Sequence, residues 1–376
     1  MAQNYQRIGD YISVLDIRNT DGSITNLMGI SIDKCYIPSV ANVIGTDLHN
    51  YKVISKGQFA CSLMQVSRDQ RIPLAMYASD EPAIMSPAYV LFEVTRPDEL
   101  IPEYMALWFR RAEFDREASF YAVGGVRGSL DWGDFCDMKL PVPSIDEQRK
   151  IVHDYQVITD RIELLRKING VLLETGETIF ANMFDAEHDE LADCSLYSIA
   201  GYINGTSFDE DEYADEGLPI IKIAELKDGI TLSTQYFVGD KPAKYYIRNG
   251  EILFSWSGNP ETSIDAFIWT HGDGILNQHT FKIDCFNGKA YTFFMLKHCK
   301  PEFVKAAHGK QTTGLGHVTV QDLKRLTVPF STKRAKEFDE QAMPLFECIY
   351  GNMLEINRLG NLRQCLLARI SLAKGA

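Results

Sequence analysis

The chain lacks the features that would direct a protein to a membrane or to secretion. No run of about 18 apolar residues occurs in its 376 residues, so no segment is predicted to span a bilayer. The first ten residues have neither the basic nor the apolar region of a signal peptide, and we expect a cytoplasmic protein. The composition, 45% hydrophobic and 24% charged, is that of a globular chain, and the length suggests about two domains.

Motifs of catalytic and cofactor-binding sites are also missing. There is no Gly-x-x-x-x-Gly-Lys-Ser/Thr loop for ATP and no Gly-x-Gly-x-x-Gly after a strand. Neither His-Glu-x-x-His nor Gly-x-Ser-x-Gly occurs, and Asn259-Pro260-Glu261 departs at its third position from the Asp/Asn-Pro-Pro-Tyr/Phe motif of adenine methyltransferases. The eight cysteines form no Cys-x-x-Cys or other metal-binding spacing. The sequence predicts a binding protein without catalytic residues or a metal, and an enzyme with an unrecognised site is the alternative.

Basic residues are outnumbered by acidic ones. The chain has 38 Lys and Arg against 51 Asp and Glu, a formal net charge of −13. Residues 187–216 contain acidic side chains and no Lys or Arg. Because phosphate contacts need basic side chains, this composition excludes a protein whose whole surface coats nucleic acid. It permits a protein whose basic residues gather on one face.

What the sequence does contain is an internal repeat. In each half a polar turn enters a buried strand, an apolar strand follows, and an aromatic helix pattern leads to a glycine-rich loop and then to Asp-apolar-x-x-apolar-x-apolar-Pro. The first copy comprises residues 51–62, 83–94, 102–116, 124–128 and 134–141, and the second comprises residues 246–255, 274–283, 290–307, 313–316 and 322–329. The shared order predicts two similar α/β domains, with chance similarity as the alternative.

A long helical segment follows each copy of the repeat. Ser144 and Glu147 form the Ser-x-x-Glu pattern of a capping box at the start of the first segment. Apolar residues at heptad spacing predict a seam for a facing helix. In the first segment the seam includes Ile151, Ile158, Ile162, Leu165 and Leu172, and in the second it includes Ile349, Ile356 and Leu366. Pro344 and Gly360 are predicted to interrupt the ends of the second helix. Two antiparallel helices, each roughly 60 Å long at about 1.5 Å per residue, would bury both seams; the alternative is two separate surface helices.

The junction between the first repeat and the first helix resembles a known family. Leu140-Pro-Val-Pro143-Ser-Ile-Asp-Glu147-Gln-Arg-Lys-Ile-Val152 is similar to the central junction of specificity subunits of type I restriction–modification enzymes, where a proline-rich strand end followed by Glu-Gln begins the spacer helix. Residues 81–89, 254–279 and 313–324 resemble the recognition domains of that family. The second helix departs from the pattern, because Pro329 is followed by Phe330-Ser-Thr-Lys-Arg-Ala-Lys-Glu337 without a second Pro-x-x-x-Glu-Gln.

The repeat and the resemblance together predict an α+β fold. Two similar α/β target-recognition domains are separated by two long antiparallel helices, which form a coiled-coil spacer with pseudo-two-fold symmetry. We place the first recognition domain at 1–143, the central spacer helix at 144–186, the second recognition domain at 187–330 and the C-terminal spacer helix at 331–376.

The resemblance, and not the spacing of residues, implies the ligand and the partners. Each domain of a non-catalytic specificity subunit would read one half of a bipartite site in double-stranded DNA, and the helices would set the gap. The helices would hold two methyltransferase subunits, and a motor-nuclease subunit would join them. This chain would need no cofactor, while its partners would use S-adenosylmethionine, ATP and Mg. Because the chain is acidic, we expect the partners to neutralise much of the phosphate charge.

Base reading requires Arg, Asn, Gln, Ser or Thr on loops that reach a groove. The DNA-binding candidates are Gln65, Arg68, Gln70, Arg71 and Arg127 in the first half and Trp256, Ser257, Asn259, Lys310, Gln311, Thr312 and His317 in the second. Arg68 and Arg71 as solvated turn residues, and Trp256 packed beneath its loop, are the alternatives. His279 is predicted to be a core histidine. Candidates for partner binding and spacer packing are Glu147, Gln148, Ile151, Ile158, Ile162, Leu165, Leu172, Ile349, Ile356 and Leu366.

Two other functions are open at this point. One is the specificity subunit of a related restriction system whose methyltransferase and nuclease are fused in one partner. The other is a two-domain coiled-coil scaffold that binds only proteins. A scaffold would have loops poor in Arg, Asn and Gln, unlike residues 309–317.

Overall fold

Two units make up the fold of the chain. A computed structural model describes residues 5–39, 46–64, 66–124, 128–185, 190–310 and 315–370. The first unit comprises Met1–Asp160 with Asn361–Ala376, and the second comprises Arg161–Gly360. Within the described ranges, no helix combines the length and the apolar character needed to cross a membrane.

The first unit contains a four-stranded antiparallel sheet. The strands of the whole unit are β1 (Tyr5–Arg7), β2 (Ile12–Leu15), β3 (Met28–Ile30), β4 (Tyr36–Pro38), β5 (Lys52–Ile54), β6 (Phe59–Cys61), β7 (Leu74–Met76), β8 (Ala83–Met85), β9 (Val90–Val94) and β10 (Lys139–Pro141). Its shorter helices are α1 (Val66–Asp69), α2 (Pro102–Phe109), α3 (Ala112–Tyr121) and α4 (Trp132–Asp137). The sheet has the order β2-β9-β6-β7, and the pairs β3–β4, β5–β8 and β1–β10 are also antiparallel.

Aromatic side chains fill the space between this sheet and the helices. The rings of Phe59 and Phe92 stack with centroids 5.1 Å apart. Phe109 of α2 and Phe135 of α4 close over them, each with its centroid 5.8 Å from one of the two rings. All four side chains are buried, and each contributes roughly 1.5–3 kcal/mol of transfer free energy. The sheet and its helices therefore share one core.

The second unit is built from a larger set of strands. These are β11 (Ala192–Ser195), β12 (Gly201–Asn204), β13 (Tyr213–Ala214), β14 (Leu218–Ile221), β15 (Tyr236–Phe237), β16 (Tyr246–Ile247), β17 (Ile252–Ser255), β18 (Ser257–Gly258), β19 (Asp265–Ile268), β20 (Gly274–Leu276), β21 (Thr280–Asp284), β22 (Gly316–His317) and β23 (Thr327–Phe330). Its shorter helices are α6 (Leu196–Ile199), α7 (Ile223–Asp228), α8 (Lys289–His298), α9 (Lys300–His308) and α10 (Val320–Arg325). One sheet has the order β12-β21-β17-β19 and another has the order β13-β15-β14-β20-β16.

The strand order repeats between the units. Strands β2, β9, β6 and β7 correspond to β12, β21, β17 and β19, and both four-stranded sheets are antiparallel. The antiparallel pairs β5–β8 and β1–β10 correspond to β16–β20 and β11–β23. Between β12 and β16 the second unit has β13, β14, α7 and β15, where the first unit has the β3–β4 hairpin. The sequence repeat thus corresponds to a repeat in strand order.

Two of the predicted strands prove to be divided by turns. Segment 83–94 forms β8 and β9, because Pro87 lies in a turn that is closed by a 3.1 Å hydrogen bond from Tyr89 N–H to the Ser86 carbonyl. Segment 274–283 forms β20 and β21, with a 3.1 Å hydrogen bond from Thr280 N–H to the Asn277 carbonyl. In both segments the turn residues, Ser86-Pro87 and Asn277-Gln278, lie between two apolar runs.

Two predicted helices are divided as well. The pattern at 102–116 forms α2 and α3, since Arg111 has an extended backbone with φ −75° and ψ 139°. The pattern at 290–307 forms α8 and α9, which meet at Cys299. Pro301 lies in the first turn of α9, where its missing N–H costs no helical hydrogen bond.

The long helices are α5 (Ile145–Phe184) and α11 (Thr332–Ile370). Helix α5 begins as the capping pattern predicts, with Glu147 N–H donating to Ser144 Oγ at 3.4 Å. Helix α11 continues through Pro344 and Gly360, so the predicted interruptions were wrong. A proline inside a helix costs about 3 kcal/mol, and burial of Ala342 and Phe346 on either side offsets that cost.

Within the second unit the two long helices run antiparallel. Arg161 Nε lies 2.7 Å from Glu355 Oε1. Asn352 Nδ2 donates to Asn169 Oδ1 at 2.8 Å. The order of these contacts, 161 with 355 and then 169 with 352, fixes the opposite directions.

The predicted seam residues face the interior to different degrees. Ile158, Ile162, Leu165 and Ile349 are buried, and Ile151, Leu172, Ile356 and Leu366 are half-buried. The mixed α and β class with a long helix, predicted from the sequence, is confirmed.

Candidate nucleic-acid interface

Two loops that are distant in the sequence meet in the second unit. Strands β18 and β22 pair antiparallel, with Ser257 opposite His317. Val318 N–H donates to the Trp256 carbonyl at 2.8 Å. The pairing therefore brings three of the predicted DNA-binding residues, Trp256, Ser257 and His317, to one place.

The first unit has an equivalent junction. Leu130 N–H donates to the Leu63 carbonyl at 2.9 Å, which joins the chain after β6 to the chain before α4. A Cβ placed on Gly128, which has a φ of +70°, would lie 3.1 Å from the Ser67 Cβ. Gly128 thus lies close to α1, the helix that carries Arg68.

The predicted arginines of the first unit are exposed and paired. Arg68 Nε donates to Asp69 Oδ1 at 2.7 Å, and this bond lowers the pKa of the Asp69 carboxyl. Arg71 Nη1 donates to Asp33 Oδ1 at 2.9 Å. Between them Gln70 is exposed and has a left-handed backbone with φ 51°. Such exposed ion pairs are worth at most about 1 kcal/mol, so both guanidinium groups can exchange their carboxylate partners for other anions.

Trp256 and Asn259 support the structure of their own loop. Trp256 is half-buried, and its Nε1 donates to Asn204 Oδ1 at 3.1 Å. Asn259 Oδ1 accepts the backbone N–H groups of Glu261 at 3.0 Å and Thr262 at 3.2 Å. Trp256 thus contacts Asn204 and His279, and Asn259 stabilises the turn that follows it.

Lys310 forms an ion pair with Asp322, and its Nζ lies 3.3 Å from Thr319 Oγ1. Asp322 is buried, and its bonds to Lys310 and Thr319 lower the pKa of its carboxyl against the effect of burial. Lys310 therefore contacts the N-terminal cap of α10. Its ammonium group is bound within the chain.

His279 is exposed, so the predicted core position was wrong. The residue follows β20 at a turn, and its ring centroid lies 5.5 Å from that of Trp256. Sequence reasoning missed it because a histidine beside an apolar strand gives no sign of the turn. Gln65, Arg127, Gln311 and Thr312 lie outside the described residues.

A buried ion pair in the first unit was also missed from the sequence. Lys34 is 6% exposed, and its Nζ lies 2.7 Å from Asp115 Oδ1 and donates to the Phe109 carbonyl. The same Asp115 oxygen accepts the Ile72 backbone N–H at 3.2 Å. Burial lowers the pKa of Lys34, while the Asp115 carboxylate opposes that shift. No motif marks either residue.

Two predicted partner-binding residues at the start of α5, Glu147 and Gln148, differ in their exposure. Glu147 is half-buried in the first turn. Gln148 is 0% exposed, and its Nε2 donates to the Glu99 and Pro143 carbonyls at 2.8 Å. Its Oε1 accepts the Ile101 N–H at 2.9 Å. Gln148 thus serves the fold of the first unit and presents no surface to a partner.

Helix α5 exposes a second apolar stripe in the second unit. Leu164, Ile168 and Val171 are 49%, 36% and 63% exposed. Their i, i+4, i+7 spacing places them on one helical face, away from Ile162 and Leu165, which are buried. The same spacing in the sequence could have revealed this stripe.

Metal binding and nucleophilic catalysis would each require particular side chains to lie together in the described part of the chain. No cluster of three or more His, Cys, Asp or Glu that could hold a metal is present there. A cavity of about 140 Å³ in the second unit is lined in part by Asp185, His298 and Cys299. Burial raises the pKa of Cys299 to about 12, so the thiol is protonated at neutral pH and is a poor nucleophile.

Comparison with known proteins gives matches in sequence and in fold, while no family model matches the chain. The chain is 23% identical over 302 residues to the type I restriction enzyme MjaIX specificity subunit of Methanocaldococcus jannaschii, covering 73% of this chain and 69% of the relative. The crystal structure of the type I restriction–modification S subunit from M. genitalium has a TM-score of 0.57 at 12% identity and covers 99% of this chain and 96% of that one. The HsdS subunit from Thermoanaerobacter tengcongensis is 16% identical over 98% of this chain and 96% of its own, with a TM-score of 0.36. The sequence match agrees with the resemblance of residues 140–152, and the chain is similar in sequence and in fold to specificity subunits of type I restriction–modification systems.

Proposed function

We propose that the chain is the non-catalytic DNA specificity subunit of a type I restriction–modification complex in the cytoplasm. Each of two recognition domains, 1–143 and 187–330, reads one half of a bipartite site in double-stranded DNA. The helical segments 144–186 and 331–376 set the gap and dock two methyltransferase subunits, and a motor-nuclease subunit completes the complex. S-adenosylmethionine, ATP and Mg belong to those partners. The observation that best supports this proposal is the repeated strand order, with a pair of joined loops at the same point in each unit.

Division of the reading between two linked domains has a physical advantage. Once one domain is bound, the second binds intramolecularly, so two modest half-site affinities combine. One added base pair rotates the second half-site by about a tenth of a turn, and a stiff connection therefore makes the gap part of the target. Arg68, Arg71 and His317 are the described candidates best placed for base contacts, since the first two are exposed and the third lies at the loop junction.

Methylation-sensitive sequencing tests the proposal directly. DNA from cells that express this chain with its methyltransferase is expected to carry a methylated motif of two short halves around a fixed gap. A continuous motif, or none, would contradict the proposal. Co-purification of a partner with fused methyltransferase and nuclease motifs would favour the related restriction system, and a chain that binds partners but never DNA would be a scaffold.

The acidic composition predicts that DNA affinity depends on the partners. With a net charge of −13, the isolated chain repels phosphates overall, and neutralisation of phosphate charge dominates affinity. At physiological salt we expect the isolated chain to bind its target at least tenfold more weakly than the complex, as an order of magnitude. Fluorescence anisotropy with one labelled duplex measures both; equal affinities would disprove this dependence.

We propose that the stripe Leu164, Ile168 and Val171 docks a helix of a methyltransferase subunit. A helix laid along such a stripe buries apolar side chains at the same i, i+4, i+7 spacing. The double change Ile168→Glu and Val171→Glu is expected to weaken association by on the order of tenfold or more, because it places charge in a desolvated contact. Pull-down with titrated methyltransferase measures the loss.

The matched control for this docking prediction is Arg166→Glu. Arg166 is exposed on α5, and the helical spacing of about 100° per residue places it on another face. This variant introduces the same charge and should associate normally. Equal weakening by the control and the double variant, or no weakening by the double variant, would refute docking at the stripe.

A further inference from the structure

Two adjacent ion pairs in the first unit join the turn between β3 and β4 to the loop after α1. Lys34 of the turn pairs with Asp115 at 2.7 Å, and Asp115 Oδ1 accepts the N–H of Ile72 in the loop at 3.2 Å. The neighbouring turn residue, Asp33, accepts a 2.9 Å hydrogen bond from Arg71. Consecutive residues of the turn thus hold consecutive residues of the loop, directly at Arg71 and through Asp115 at Ile72.

Both joined segments have unusual backbone conformations. Within the described ranges, the non-glycine residues with positive φ are Lys34, at 61°, and Gln70, at 51°. This region costs an L residue roughly 1–2 kcal/mol, and it persists where surrounding contacts determine the conformation. The two ion pairs are such contacts. Lys34 itself forms one of them, and Arg71, the residue after Gln70, forms the other.

Net stability does not account for the buried pair. Removing two charges from water costs about as much as their attraction returns, and an apolar pair of similar volume often holds a core as well. Contacts between apolar side chains, however, are not directional and do not fix one geometry. The chain of bonds from Lys34 Nζ to Asp115 Oδ1 and on to the Ile72 N–H sets one position for the loop.

We propose that Lys34 and Asp115 are positioning residues for base reading by the first unit. This inference rests on the proposed function, because it makes the buried pair responsible for the orientation of Arg68 and Arg71 toward base edges. Neither Lys34 nor Asp115 contacts DNA. Their effect is confined to the half-site that the first unit reads.

The test compares methylation patterns in cells that express the chain with its methyltransferase. The double variant K34M/D115L replaces the ion pair with apolar side chains. We expect discrimination against single base-pair changes to fall by on the order of tenfold in one half-site and to be unchanged in the other. The control variant K56M/D80L removes an exposed pair of the same unit, in which Lys56 and Asp80 lie 2.7 Å apart, and should leave both half-sites unchanged.

A second variant keeps the test informative if the double variant folds poorly. Asp33→Ala removes the exposed partner of Arg71 without a change in the core, and we expect about a threefold loss of discrimination, a fraction of one base contact, in the same half-site. Thermal unfolding of each purified complex accompanies the sequencing. Unchanged discrimination in both variants overturns the inference, as does an equal loss in both half-sites, which would indicate a merely structural pair. If DNA from cells that express the wild-type chain carries no two-part methylated motif, the proposed function is refuted, and this inference with it.

Discussion

Replacement of Lys34 by Met alone is expected to destabilise the first unit by about 3–5 kcal/mol, because Asp115 is left as an unpaired charge in a nearly buried position. The side chain of Lys34 is 6% exposed and that of Asp115 is 13% exposed, so water can compensate little. The double variant K34M/D115L is expected to recover most of the loss. Chemical denaturation of the three proteins measures the difference.

The pH dependence provides an internal check on this explanation. Burial without a partner raises the pKa of a carboxyl group. A carboxyl whose folded-state pKa is raised binds protons more readily in the folded state, so the stability deficit of Lys34→Met should shrink as the pH falls through that raised value. A deficit that does not depend on pH would show that lost packing, rather than an unpaired charge, causes it.

Gly176→Ala is expected to give the second large effect, a loss of about 1–3 kcal/mol or more in the second unit. A Cβ added at Gly176 would overlap the ring of Phe294, which is fully buried and cannot move aside. Alanine otherwise favours a helix over glycine by about 1 kcal/mol, so the overlap must first cancel that gain. Thermal unfolding of the purified chain measures the balance.

The same helix provides the matched control. Gly170 is exposed, and nothing lies within 4 Å of a Cβ placed there. Gly170→Ala should therefore stabilise the chain by roughly 0.5–1 kcal/mol. If both substitutions stabilise the chain, the close approach of α5 to Phe294 does not exist in solution.

Local patterns account for the parts of the fold that the sequence predicted. The cap at Ser144 and the seam through Ile158 and Leu165 depend on spacings of three and seven residues, which a sequence displays directly. The predictions failed where long-range packing overrides local preference. Helix α11 continues through Pro344 because Ala342 and Phe346, on either side of the proline, are buried against other parts of the second unit. No local sequence pattern shows that burial.

The candidate interface was predictable in composition but not in arrangement. The polar loops could be recognised, yet the pairing of Ser257 with His317 depends on how β18 and β22 meet across about 60 residues of chain. Lys310 illustrates the same limit. It was predicted as a DNA-binding residue, and only the fold shows its ammonium group bound to Asp322.

The burial of Gln148 bears on the thermodynamics of target binding. Its amide connects the first turn of α5 to Ile101 and Glu99 at the start of α2, so the helix leaves the first unit through a junction that is already ordered in the free protein. A flexible junction would lose conformational entropy whenever DNA or a partner fixed its direction, and affinity would fall accordingly. If the chain binds DNA and partners as proposed, an ordered junction lowers that entropic cost, and Gln148→Ala would restore it because the change lies in a buried position.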